Sequence, residues 1–114
     1  MKFSKDGFWI KEQDDHIVIG FGLKLQDDVG EVAFASFPYE EALKKGEPII
    51  DVEASKAVTT VDSPLTGTVV KWHREVEDTP ELLNAVDTEL NWLVELSHVP
   101  SEELEHLLNE DPFL

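Results

Sequence analysis

Glycine, proline and paired acids cut this chain into short apolar runs, and that punctuation constrains its fold more than any other feature. His16-Ile17-Val18-Ile19-Gly20-Phe21 follows Asp14-Asp15 and stops at Gly22. Val32–Phe37 follows Gly30 and stops at Pro38, and Ile49–Glu53 follows Gly46-Glu47-Pro48. Ala57–Val61 ends at Asp62-Ser63-Pro64, Thr68–Trp72 follows Gly67, and Trp92–Leu96 is the last run. β-branched and aromatic residues suit a pleated, half-buried surface, and Gly and Pro end it. Six or more such strands predict a mainly β single domain over residues 1–114, a sandwich or flattened barrel. Strand-opening Gly30-Glu31-Val32 is echoed by Gly67-Thr68-Val69, as duplicated units would produce.

Helical signals are few. Thr79-Pro80-Glu81 offers a cap, a proline at the first helical position and an acid in the first turn. Ser101 can cap a C-terminal helix over residues 100–109, with Leu104, Leu107 and Leu108 on one face to cover an end of the barrel. Gln26–Gly30 reads equally as a loop or a single helical turn.

Charge narrows the partners. Nine Lys and Arg stand against 25 Asp and Glu, a net charge of −16. Such a surface repels nucleic-acid phosphates and anionic membranes and steers toward basic faces, so neither nucleic acid nor membrane is an expected partner. No apolar run is long enough to span a bilayer, and Met1–Asp6 lacks the apolar segment of a signal peptide; a cytoplasmic location is the expectation.

The chain has no cysteine, which removes disulfides, cysteine–zinc sites and a thiol nucleophile. His16, His73, His98 and His106 lack metal-ligand spacing and read as solvent-exposed; no metal site is expected. Trp9, Trp72 and Trp92 read as core or rim packing. With no G-x-S-x-G, P-loop or G-x-G-x-x-G and no nucleophile–base set, the chain reads as a non-catalytic protein.

Lys56 is the residue that stands out. Val52-Glu53-Ala54-Ser55-Lys56-Ala57-Val58 lies between two strand-like runs, with small residues on both sides of one lysine. A hairpin tip of Ala, Ser, Lys and Ala holds the amine out with little bulk beside it, which is the access an acylating enzyme needs.

Together with Ser63-Pro64-Leu65-Thr66-Gly67-Thr68-Val69-Val70, this stretch resembles the lipoylation region of glycine-cleavage H proteins, V-E-S-x-K-A followed by S-P-x-S-G-x-V-V. Pro80-Glu81-Leu82-Leu83-Asn84 is similar to the family's P-x-L-(I/L)-N, and Asn91-Trp92-Leu93 to its G-W-L. The resemblance runs from about Phe8 to the C-terminal helix. Biotinyl domains present M-K-M at this tip and dehydrogenase lipoyl domains D-K-A; the Glu53 spacing favours the H-protein branch.

The resemblance implies a flattened, pseudo-symmetric barrel of the lipoyl/biotinyl type with a C-terminal helix. It implies lipoate covalently attached to Lys56, with Glu53 and Gly67 read by a lipoate-protein ligase or lipoyl transferase.

The flanks depart from the common pattern. Gly7-Phe8-Trp9 stands where H-E-W is usual, Leu23–Gly30 where T-D-Y-A-Q-x-x-L-G is usual, and Val86–Trp92 where D-P-Y-G-x-G-W is usual. In Leu25-Gln26-Asp27-Asp28-Val29-Gly30, Glu53-Ala54-Ser55-Lys56 and Asn91-Trp92-Leu93 the chain resembles an H-like branch of some Gram-positive bacteria, which occurs beside a lipoate ligase, a sirtuin-type ADP-ribosyltransferase and a macrodomain protein. That implies a carrier in lipoate relay or in lipoyl-dependent ADP-ribosylation under redox stress, with Asp27 and Asp28 as candidate acceptors. The alternative is a conventional H protein that shuttles an aminomethyl group between the P and T proteins, with the P, T and L proteins of glycine cleavage as partners.

Overall fold

Inward and outward positions alternate throughout Val58–Asp62, whereas Ile17–Phe21 is buried at every position, and such departures from alternation shape the molecule. The computed structural model describes residues 1–114. The chain begins with β1 (Lys2–Phe3), β2 (Phe8–Gln13), β3 (His16–Phe21) and α1 (Leu23–Val29). Next come β4 (Val32–Ser36), β5 (Ala42–Leu43), β6 (Pro48–Ala54), β7 (Val58–Asp62) and β8 (Gly67–Trp72). It closes with α2 (Glu75–Asp78), a 3-10 turn (Pro80–Asn84), α3 (Thr88–Asn91), β9 (Trp92–Ser97) and α4 (Ser101–Glu105). All strand pairs are antiparallel. One sheet has the order β1-β2-β3-β9-β8-β5 and the other β4-β6-β7. They enclose one apolar core with Phe8, Phe21, Ile49, Leu65, Leu83 and Leu93 fully buried. The expected mainly β, barrel-sandwich architecture is the one found.

β6 shows how register sets the faces. Ile49 and Ile50 are both buried because the pairing with β7 shifts between Pro48 and Ile50. Beyond that bulge the strand alternates, so Val52 points into the core and Asp51 and Glu53 point out.

β2 departs from the sequence reading, which placed no strand at Phe8–Gln13. Its three apolar residues are consecutive and its three polar ones follow, so no alternation is visible. Both faces are covered: Phe8 and Ile10 belong to the core cluster, while Trp9 lies across Gly20. A Cβ at Gly20 would sit 1.8 Å from the Trp9 ring, and Trp9 Nε1 donates to Asn91 Oδ1 at 2.8 Å. Asp14 and Asp15, the acids that end this run, form a two-residue hairpin turn with φ of 50° and 66°.

The helical expectations are corrected in detail. Gln26–Val29, the stretch that reads as a loop or one turn, belongs to a longer helix, α1 (Leu23–Val29), and Gly30 caps its C-terminal end. The C-terminal helix spans Ser101–Glu105 and not residues 100–109, because Leu108 leaves it to pair with Phe3 through two backbone hydrogen bonds of 2.9 and 2.7 Å. Ser101 caps nothing; Pro100 holds the cap position and its carbonyl accepts from Glu103 N. Thr79 stands at the start of its 3-10 turn, also without a side-chain cap. Leu104 of α4 and Leu107 just beyond it do pack against the core, and the Glu103 carboxylate accepts from Thr66 N and Thr66 Oγ1, each at 2.7 Å.

His73 is a further correction. It is buried, it stacks on Trp92 at 4.1 Å between ring centroids, and its Nδ1 lies 2.6 Å from the Trp92 carbonyl. A histidine that follows a strand tryptophan can bury its ring when a second aromatic face is available, and that long-range partner is not visible locally. Trp9 and Trp72 are buried and Trp92 is half-buried, in line with the packing role expected of them.

Candidate functional site

The β6–β7 hairpin projects the segment that the sequence singles out. Glu53 and Val58 form its last cross-strand pair, and Ala54 N donates to Ala57 O at 2.9 Å to close the turn. Ser55 and Lys56 form the exposed apex. Ala54, Ser55 and Ala57 put little side-chain bulk beside Lys56 within the hairpin tip.

The apex is not a free loop. Ser55 N donates to Glu31 O at 2.9 Å, and Ser55 Oγ accepts from Glu31 N at 3.0 Å. Lys56 N donates to Val29 O at 2.8 Å. These bonds tie the tip to the connection between α1 and β4. The connection comes this close because Gly30 has no side chain: a Cβ there would lie 2.3 Å from Ser55 Oγ and 3.1 Å from Lys56 Cγ. Gly30 also has φ +80° and ψ −153°, a conformation that L side chains rarely adopt.

Lys56 Nζ donates to the Asp27 carbonyl at 3.0 Å. That oxygen is one of the carbonyls left over at the C-terminal end of α1, where the helix dipole favours a cation. Asp27 and Asp28 place acids at the same end, where they are unfavourable without a counter-charge. Lys24 supplies one for Asp28 through a 2.8 Å ion pair one turn apart, and the Asp28 hydrogen bond holds the Lys24 ammonium above the usual lysine range. The Asp27 carboxylate makes no such pair.

Asn84 underpins this arrangement. Its Oδ1 accepts from Val32 N at 2.8 Å and its Nδ2 donates to Gly30 O at 2.9 Å, so one amide grips the backbone on both sides of Glu31. Asn84 is itself placed by Leu83, which is fully buried. Gln26 Nε2 joins α1 to the same frame by donating to Ala85 O at 2.9 Å.

The structure therefore brings Lys56 and Asp27 into direct contact, with Asp28 on the same helix end and Glu53 on the hairpin just behind the tip. Glu53 is exposed between Phe34 and Val58. Gly67 is not brought to the tip. It opens β8 beyond the opposite end of the hairpin, separated by β7, roughly 17 Å at about 3.4 Å per residue. It is buried, and a Cβ there would lie 2.9 Å from Ser97 O and 3.1 Å from Leu96 Cβ, which makes close packing its role in the fold. Sequence reasoning assigned no site role to Ser55, Gly30 or Asn84. Asn84 carried a signal, since it ends the P-E-L-L-N motif, but its two partners lie more than fifty residues away.

Asn84→Ala removes an acceptor and a donor at once and leaves Val32 N and Gly30 O without them. The expected cost is about 1–3 kcal/mol in urea unfolding. Amide exchange at Ser55 and Lys56 should accelerate in the folded protein. Unchanged exchange at those two amides would show that Asn84 does not steady the tip.

A family model described as "Glycine cleavage H-protein" matches residues 1–113. The glycine cleavage system H-like protein of Staphylococcus aureus (strain Mu50 / ATCC 700699) is 34% identical over 102 residues, covering 90% of this chain and 93% of the relative. The glycine cleavage system H protein of Staphylococcus carnosus (strain TM300) is 31% identical over 114 residues, covering 99% of this chain and 90% of the relative. Among solved structures, the glycine cleavage system H protein of Mycobacterium marinum superposes with a TM-score of 0.73 over 91% of this chain and 93% of its own, at 20% identity, a likeness of fold.

Proposed function

Because the chain belongs to the glycine cleavage H-protein family, whose members carry covalently attached lipoate on a lysine, we propose that Lys56 is that lysine here. The observation that carries this reading is the geometry of the tip. The Lys56 amine stands at an exposed apex among small residues, while the Ser55–Lys56 tip is tied to the end of α1 and the α1–β4 connection by three hydrogen bonds, two from Ser55 and one from Lys56 N. Acylation forms one amide bond between Nζ and the carboxyl carbon of activated lipoate. The activating group leaves with the bonding pair, and the amine's proton goes to solvent. Bound there, lipoate supplies the thiol–disulfide chemistry that a chain without cysteine lacks. The protein's own part is carriage. A fixed tip and an acidic surface present one group to successive partners at high effective concentration. Co-expression with a lipoate-protein ligase followed by intact-mass measurement tests the reading; a chain that gains no lipoyl mass refutes it.

Within that role the reading favours the H-like branch, in lipoate relay and lipoyl-dependent ADP-ribosylation in the cytoplasm. A sirtuin-type ADP-ribosyltransferase and a macrodomain protein would be the partners. Two observations support it. A relative named H-like matches over 90% of the chain. Lys56 Nζ also rests on the backbone of Asp27. Acylation turns that cation into a neutral amide at the helix end, so modification of Lys56 changes the electrostatics at Asp27 directly. Of the two acids, Asp27 is the better acceptor, because Asp28 is engaged by Lys24. With NAD and a sirtuin-type transferase, lipoylated protein should take ADP-ribose faster than apo protein, and Asp27→Asn should remove most of it. Equal transfer to both forms, or none, would favour the conventional reading, in which the P, T and L proteins of glycine cleavage are the partners and glycine decarboxylation is restored by adding this chain.

A further inference from the structure

The outward face of the β4-β6-β7 sheet carries an arrangement that the core does not explain. Phe34 on β4, Glu53 on β6 and Val58 on β7 are directly opposite one another in register, and so they share one face. Phe34 is 66% exposed and Val58 79% exposed. Single exposed apolar residues are common, but here two of them flank one carboxylate. The row is about 10 Å wide, two inter-strand spacings. It lies immediately behind the tip that presents Lys56. Farther along the same face the outward positions turn polar, with Ser36, Asp51 and Thr60, and no base lies among the residues lining this shallow depression.

We infer that Phe34 and Val58, on either side of the Glu53 that the family resemblance already assigns to recognition, form the docking surface for the enzyme that acylates Lys56, an inference that rests on the reading of Lys56 as the lipoyl lysine. Any enzyme that reaches the Lys56 amine must lie over the hairpin tip, and this row is the exposed apolar surface beside it. Charge narrows the complementary face. Phe34 and Val58 enter apolar sockets on either side, and Glu53 between them, with Asp51 next along the same face, meets a lysine or arginine. Phe34 is the anchor, because a large aromatic ring that is covered on binding carries more binding energy than the smaller contacts beside it.

The test is the steady-state acylation of purified apo protein by a bacterial lipoate-protein ligase with lipoate and ATP, read by intact mass and peptide mapping. Phe34→Thr keeps a strand-forming side chain while removing the ring. It should raise KM for the apo protein about tenfold and leave kcat within about twofold. Glu53→Gln should raise KM and weaken its dependence on salt. Phe113→Thr, an exposed aromatic in the C-terminal turn, should change neither constant. Melting curves establish that each variant is folded, and Val58→Thr repeats the test if Phe34→Thr is not. If wild type is acylated on Lys56 and neither Phe34→Thr nor Val58→Thr alters KM, the docking surface is refuted and the Lys56 reading stands. If wild type is not acylated on Lys56, both fail.

Discussion

Gly30→Ala should melt roughly 10 °C below the wild type and accept lipoate at Lys56 at least about tenfold more slowly. Two effects act together. At φ +80° and ψ −153° a side chain is strained by about 1–3 kcal/mol. The new Cβ would also lie 2.3 Å from Ser55 Oγ, a distance that no rotation of the flanking bonds relieves while Ser55 holds Glu31 N. Relief requires either that the Ser55 hydroxyl turn away and give up Glu31 N, or that the hairpin tip move off the α1–β4 connection and break the bonds from Ser55 N and Lys56 N. The sheets are untouched, so the folded protein should keep its β-rich circular dichroism at low temperature. Differential scanning calorimetry and an acylation time course separate the two effects. A wild-type melting point with wild-type acylation would mean that the tip does not depend on its seat.

Lys56→Arg is expected to abolish lipoyl addition altogether while changing stability by no more than about 0.5 kcal/mol. The guanidinium can still donate to the Asp27 carbonyl, and the residue's backbone still donates to Val29 O. What is lost is the nucleophile, because a guanidinium stays protonated and does not take up an acyl group under these conditions. Together the two substitutions separate the seat from the acceptor: one lowers stability and rate together, the other removes the reaction from an intact fold. Lipoyl addition to Lys56→Arg at an appreciable rate would place the acceptor on another of the chain's eight lysines.

The sequence made most of the frame legible where local rules suffice. β3 runs from His16 to Phe21 as its flanking acids and Gly22 indicate, and β6, β7, β8 and β9 lie within a residue or two of their apolar runs. The lysine tip was legible for the same reason, since a hairpin between two strands leaves its small residues outside. What the sequence hid is long-range. β2 has apolar residues on both faces because Trp9 covers Gly20 and binds Asn91, eighty-two positions away. The end of α4 is set by pairing of Leu108 with Phe3. His73 is buried against Trp92. In the site itself, Glu53 and Lys56 were legible from spacing, but the contact between Lys56 and Asp27 required α1 to fold against the tip. Gly67 shows the converse: a residue marked by its spacing from Lys56 proves to lie at the other end of the hairpin, packed against Ser97.

Peptide mapping of the wild-type protein after acylation by a lipoate-protein ligase tests the central claim most directly. The account predicts one lipoyl group per chain, on the peptide that contains Lys56 and on no other. A chain that stays unmodified, or one whose lipoyl group maps to a different lysine, would contradict it.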